Sequence, residues 1–329
     1  MTKESTVPFT RKDHDQRWWL STPILTRRVI DRLAQQVMGT MAITTGLLVP
    51  VIILALCLRA RPILEVQSLS ELIFSREWHP LRGLFGFYPF IVGTFWVTAV
   101  GMVIAVPPSL LTAIYLAEYA HPKTRALVKP FVDLLAGIPS VVYGVWGILT
   151  VVPFIEKTIA PAVKSRLGIL PLFQTENPTG YGILAGGVVL AVMVFPIIIA
   201  VAEEVISAVP QGLREASLAL GATRWQTIRR VVLRRGGPGV LAAVVLGFSR
   251  AFGETMAVLM VVGNVPQVPR SIFDAAYPLT ALIANNYGEM MSIPQYDAAL
   301  LGAALILMIV VLFFNLGSRL ILVRIGKNE

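Results

Sequence analysis

Six apolar runs dominate this sequence, at about residues 37–58, 89–117, 131–153, 181–206, 238–262 and 298–318. Each reaches or exceeds the roughly 20 residues that a helix needs to cross about 30 Å of hydrocarbon. In that solvent every backbone N–H and C=O must be satisfied within the protein, which leaves helices as the form for isolated runs of this length. The chain therefore reads as all-α, a polytopic membrane protein with six transmembrane helices. A soluble reading lacks polar surface: 55% of the 329 residues are hydrophobic and only 14% are charged, giving a mean hydropathy of +0.72.

The runs divide the chain into a tail over 1–36, a first transmembrane helix over 37–58, a loop over 59–88, a core over 89–318 and a short tail over 319–329. The core holds five helices and a polar insert at 207–236. Pro107 and Pro108 predict a kink in the second span, because each removes a backbone donor and crowds the preceding turn. Gly137, Gly144 and Gly147 offer small surfaces in the third span, and Gly182 and Gly186 stand at GxxxG spacing where the fourth begins. Short surface helices are expected in the half-apolar stretch 154–180 and around 280–291.

Charge sets the topology. An even number of spans puts both termini on one side, and 19 Lys and Arg flank the spans there against 8 on the other. Positive-inside bias then places the termini and the 207–236 insert in the cytoplasm. The formal net charge of +9 is explained this way without nucleic acid, since the basic residues sit beside apolar runs and do not interleave with exposed aromatics. No cleavable signal is expected, because the first run is too long for a signal h-region and no A-x-A-like site follows it. His14, His79, His121 and the lone Cys57 are too scattered for a metal site or an internal disulfide.

Within the insert, Arg214–Gly237 (REASLALGATRWQTIRRVVLRRGG) reads as two short helices. Leu213, Ala216, Ser217 and Leu220 recur at helical spacing, and Gly221 ends that helix without a Cβ to resist a left-handed turn. Thr223 and Gln226 form a capping-box pattern that starts the second helix, with Trp225, Ile228, Val231 and Val232 on its apolar face. Gly236, Gly237 and Pro238 are expected to stop it. On residues alone, the arginines of this helix meet either lipid headgroups or another protein.

Arg250 lies inside the fifth apolar run, where a charge costs about 2.5–3.5 kcal/mol on insertion scales. Glu254, four residues on, is one turn away on a continuous helix, so the two are expected to pair. Such a pair is either structural or a charged station on a polar path. In the second case the guanidinium suits bidentate capture of a tetrahedral oxyanion, with Ser249 and Thr255 as hydroxyl donors beside it.

EASLALG resembles the EAA signature of importer permeases of ATP-binding cassette systems, with Glu215, Ala216 and Gly221 at its key positions. Where that pattern has Ile-x-Leu-Pro, this chain reads Val231, Val232, Leu233 and Arg234. FGFYPFIVGT (85–94), LAEYAHP (116–122), LLAGIPSVVYG (134–144), REASLALGAT (214–223) and SRAFGETMAVLMVVGN (249–264) together resemble the PstC-type permease subunits of phosphate importers. The resemblance implies a type I importer permease fold in the bacterial inner membrane. It implies a PstA-like permease partner, a PstB-like ATPase dimer and a periplasmic phosphate-binding protein. It further implies an ATPase-coupling helix over Arg214, Glu215, Ala216, Ser217, Leu220, Gly221 and Ala222, and a substrate path at Arg250, Glu254, Thr255 and Ser249. No G-x-x-x-x-G-K-[ST] occurs, so ATP and Mg are expected on the partner ATPase, with no cofactor or catalytic residue in this chain. A permease for molybdate or sulfate, or a scaffold whose basic insert binds lipid, shares parts of this pattern.

Overall fold

The computed structural model describes residues 24–168, 170–174, 179–288 and 293–327. They fall into two compact units, one up to Ala55 and one from Leu56 onward.

The first unit is the leading part of helix α1 (Ile24–Val66). The helix starts upstream of the expected 37–58 span, so 24–36 is helical and only 1–23 of the expected tail lies outside the described residues. Every side chain from Arg28 to Ile52 is exposed. Thr40 and Thr44 return their hydroxyls to the carbonyls of Val37 (2.9 Å) and Thr40 (2.8 Å). This is how a polar side chain is accommodated on a helix in hydrocarbon.

The second unit is a helical bundle. After α1, the expected 59–88 loop is compact: helix α2 (Leu69–Phe74) starts on a Ser68/Glu71 capping box, and Trp78–His79 pairs antiparallel with Leu84–Phe85. Trp78 packs its ring against Phe85, Phe90 and Tyr296 at centroid distances of 5.6, 4.8 and 5.9 Å. Helix α3 (Tyr88–Ile114) runs unbroken through Pro107 and Pro108 and opens into a π-helical turn at Tyr115–Tyr119.

Helix α4 (Pro122–Gly137) is separate from the third span, which correspondingly starts at Ser140 and not at 131. Pro139 forces Ile138 into an extended conformation and interrupts the apolar run. The span is then continuous through α5 (Ser140–Trp146), α6 (Val152–Phe154) and α7 (Ala160–Leu167), with π-helical turns at Gly147–Val151 and Ile155–Ile159. Much of the expected 154–180 loop is therefore helix. The fourth span, α8 (Ile183–Ser207), is the most enclosed, and α3 and α5 lie against it. A Cβ on Gly187 would stand 2.5 Å from Val100 Cγ1, so the α3–α8 contact depends on its absence. Gly182 precedes α8 and abuts the Phe273 and Asp274 carbonyls, so the GxxxG pair makes no helix-dimer seam.

The insert forms α9 (Gln211–Ala219) and α10 (Arg224–Thr227), then a π-helical turn at Ile228–Val232 leads directly into α11 (Leu233–Phe252). The expected stop at Gly236–Pro238 does not occur. Gly236 packs against α8, and a Cβ on Gly239 would stand 2.4 Å from Val205 Cγ1. Gly239 thus serves close helix approach, and neither glycine ends the helix. The break comes later, at Gly253–Thr255, after which α12 (Met256–Val261) completes the segment.

The end of α12 and the loop that follows satisfy the amides opening α8: Gly182, Ile183 and Leu184 donate to the carbonyls of Val261 (3.1 Å), Asp274 (3.0 Å) and Ile272 (2.8 Å). Helix α13 (Leu279–Asn286) covers part of the expected surface helix but is buried over Leu279–Leu282, while 289–292 lie outside the described residues. Helix α14 (Pro294–Lys327) extends the sixth span beyond 318, so most of the expected tail is helical. Among the described residues, six helices are long and apolar enough to cross a membrane.

Candidate functional site: a broken span and a docked insert

Arg250 occupies the last turn of α11, exposed on the surface of this chain. The expected pair with Glu254 is not formed: among the described residues, charged partners such as Arg125 and Lys129 with Glu203, and Arg214 with Glu118, are joined elsewhere in the bundle. Pairing at i, i+4 requires a continuous helical turn, and α11 ends at Phe252. Glu254, 8% exposed, instead folds onto the start of α12, where its Oε1 accepts from the Thr255 amide (3.0 Å) and the Ala257 amide (3.5 Å).

The break thus places a cation at the C-terminal end of one half-helix and a carboxylate at the N-terminal end of the next. Both placements oppose the local helix dipole, each typically contributing about 0.3–1 kcal/mol. This offsets part of the cost of the charges without an Arg–Glu bond. Thr280 Oγ1, from α13, donates to the freed Glu254 carbonyl at 2.9 Å. Thr94 Oγ1 accepts from the Leu279 amide (2.9 Å) and donates to Phe90 O (2.8 Å), fixing α13 to α3. Ser249 donates to Asn315 of α14 (2.9 Å), and Thr255 Oγ1 lies 3.4 Å from Gly253 O. Phe248, Phe252 and Phe314, with Phe95 of α3, form a ring cluster that holds the end of α11 against α14 and α3.

The four residues expected on the path are therefore neighbours on one interrupted segment, with Arg250 the exposed cation among them. Thr280, Thr94 and Asn315 were not identified from sequence, since nothing in their spacing places α13 beside the break. Gly253 between Arg250 and Glu254 was the available signal.

The insert is fastened by charge. Arg214 reaches inward from α9, donating to Glu118 Oε1 through Nη2 (2.7 Å) and Nε (3.0 Å), to Ile206 O (2.8 Å) and to Val209 O. Ser217 Oγ meets Thr227 Oγ1 at 2.9 Å, tying α9 to α10. The Thr223/Gln226 capping box forms as expected, with bonds of 2.9 and 3.3 Å. Gly221 turns the chain at φ +83°, a left-handed conformation open to glycine at little steric cost.

Among the residues expected to couple to an ATPase, Arg214 and Ser217 thus face the protein, and Ala222 is half-buried. Glu215, Ala216, Gly221 and Leu220, the last 90% exposed, are outward, as are Leu213 and Trp225. The anticipated stripe of Leu213, Ala216, Ser217 and Leu220 accordingly divides between two faces. Glu118 and the buried Glu203 were missed, although carboxylates at the ends of apolar runs signal a partner.

Residues 109–327 match the family described as binding-protein-dependent transport system inner membrane component. The chain is 38% identical over 272 residues to the phosphate transport system permease protein PstC of Xylella fastidiosa, covering 82% of this chain and 83% of that protein. It is 34% identical over 308 residues to the PstC of Pasteurella multocida, covering 93% and 95%. Among solved structures, a bacterial alginate ABC transporter chain aligns with a TM-score of 0.53 at 15% identity, covering 93% of this chain and 94% of the other. A chain of the MetNI methionine ABC transporter, inward facing, aligns with a TM-score of 0.51 at 20% identity, covering 76% and 99%. The fold is that of the type I importer permeases, and the chain belongs to the family of binding-protein-dependent transport system inner membrane components.

Proposed function

We propose that this multi-pass membrane protein is the PstC-type permease subunit of an ATP-driven phosphate importer and forms half of its translocation path. The observation that carries the reading is Arg250, an exposed cation at the break in the fifth span, beside a capped carboxylate. A guanidinium offers five donors in a planar fork that matches a phosphate oxygen pair. The names of the relatives supply the substrate. A PstA-like subunit completes the path, a PstB-like ATPase dimer binds ATP and Mg, and a periplasmic phosphate-binding protein delivers the ion.

Glu215, Ala216, Leu220 and Gly221 contact the ATPase, while Arg214 keeps the insert attached to the bundle. With the insert and both termini cytoplasmic, movement at α9 passes through the continuous α10–α11 rod to the break at Gly253–Thr255. Uptake of labelled phosphate by the reconstituted complex, with excess sulfate or molybdate in competition, tests the reading. Phosphate alone is expected to compete in proportion to its concentration; preferred transport of sulfate or molybdate would reassign the subunit to another oxyanion.

A further inference from the structure

Where α9 and α10 meet the ends of α3 and α8, the second unit carries a cleft of about 470 Å³, within the size range of small-molecule sites. Its lining includes Glu118, Arg125, Ser207, Gln211, Arg214 and Arg224, three guanidinium groups against one carboxylate. That carboxylate is already committed, because Glu118 takes three bonds from Arg214. Glu203, the partner of Arg125, lies in the adjoining crevice with Lys129.

The two remaining arginines are held in place without using up their donors. Arg125 presents Nη2 to Ser207 Oγ (3.1 Å) and to Glu203. Arg224 stacks over the Tyr119 ring at 4.8 Å and gives Nη2 to the Glu118 carbonyl. Among the described residues, no acceptor meets the Nε or Nη1 groups of either. A guanidinium fork oriented by stacking and by one bond is preorganised for a second, bidentate acceptor.

We infer that this cleft binds a phosphate-bearing anion, held between the open donors of Arg125 and Arg224 above the paired Arg214 and Glu118. The site is separate from Arg250 and does not rest on the transport reading. Two sources have this chemistry. A phospholipid headgroup suits the exposed apolar face of α4, where Leu127, Phe131 and Leu134 are 64%, 60% and 67% exposed on the helix that carries Arg125. Basic pockets between transmembrane helices take such headgroups. Free inorganic phosphate has the same oxygens without the acyl chains.

The test uses the assembled, nucleotide-free complex without its binding protein, bearing Arg250→Gln so that the translocation path does not contribute. One arm exposes the complex to vesicles of phosphatidylglycerol or of phosphatidylcholine and reads retained lipid by native mass spectrometry. The other measures labelled inorganic phosphate by equilibrium dialysis. One anion per complex is expected, falling about tenfold with Arg224→Gln, the loss of one charge-assisted bond. Arg224→Lys should restore part of it. Gln211→Glu, at an exposed position that the fold tolerates, should reduce it similarly by repulsion.

Retention confined to phosphatidylglycerol identifies a lipid headgroup, and retention of inorganic phosphate identifies the free ion. Failure of both arms, or retention indifferent to Arg224→Gln and Gln211→Glu, overturns the inference.

Discussion

The ion pair between Arg214 and Glu118 should behave as the clasp of the insert, and its strength can be worked out from its surroundings. Both side chains are nearly enclosed, at 11% and 7% exposure, and the Nη2–Oε1 distance is 2.7 Å. Removing one partner of a buried pair costs about 3–5 kcal/mol, because the other is left uncompensated. Glu118→Gln keeps an acceptor, and Arg214 keeps its bonds to Ile206 O and Val209 O, so about 2–3 kcal/mol is expected. Arg214→Gln also loses both carbonyl bonds and strands Glu118, which places it at about 3–5 kcal/mol. In the double variant no charge is stranded, so its cost should barely exceed that of Arg214→Gln. The implied coupling is about 2 kcal/mol. Reversible unfolding of the purified protein in mixed micelles, titrated with SDS and followed by tryptophan fluorescence, measures all three. Costs that add within about 0.5 kcal/mol would refute the clasp.

Three further outcomes follow from other parts of the fold. Gly187→Ala brings a methyl against Val100 and should lower stability by about 1–3 kcal/mol in the same titration, whereas Gly137→Ala, with open space around it, should be neutral or slightly stabilising. Gly221→Val forces a β-branched residue to φ +83°; strain of about 1–2 kcal/mol should appear as reduced co-purification of the ATPase before any loss of membrane insertion. Glu215→Lys, at an exposed position of α9, should uncouple or release the ATPase while leaving the stability of this chain unchanged, as co-purification and stimulated ATPase assays would register.

The spans were legible because apolar length in a bilayer has one solution, and positions such as Thr223 and Gln226 were legible because a cap is a local contract between neighbours. Boundaries were harder wherever apolar character crossed a break. Phe131–Gly137 continues the run into Ser140, and only Pro139 marks the separation of α4 from the third span. The reverse error occurred at Gly236–Pro238, where residues that usually stop a helix lie inside one, just before Gly239, whose missing Cβ admits Val205 of α8. At the candidate site the residues were visible but their pairing was not. Arg250 and Glu254 match a helical turn on paper, yet Gly253 ends that turn, and Thr280 arrives from a segment far along the chain to hold the opened carbonyl. Arg214 falls within the coupling motif that the family resemblance marks, but a linear motif does not say which of its side chains turn inward; that depends on Glu118, which only the tertiary structure brings beside it.

Arg250, at the broken fifth span, is proposed to handle the transported anion. Phosphate uptake by proteoliposomes containing the full complex with Arg250→Gln, whose assembly and ATPase co-purification match wild type, tests it most directly. Loss of one charge-assisted contact to the ion, about 1.5–3 kcal/mol, predicts uptake reduced at least about tenfold. Uptake within about twofold of wild type would contradict a place for Arg250 on the path.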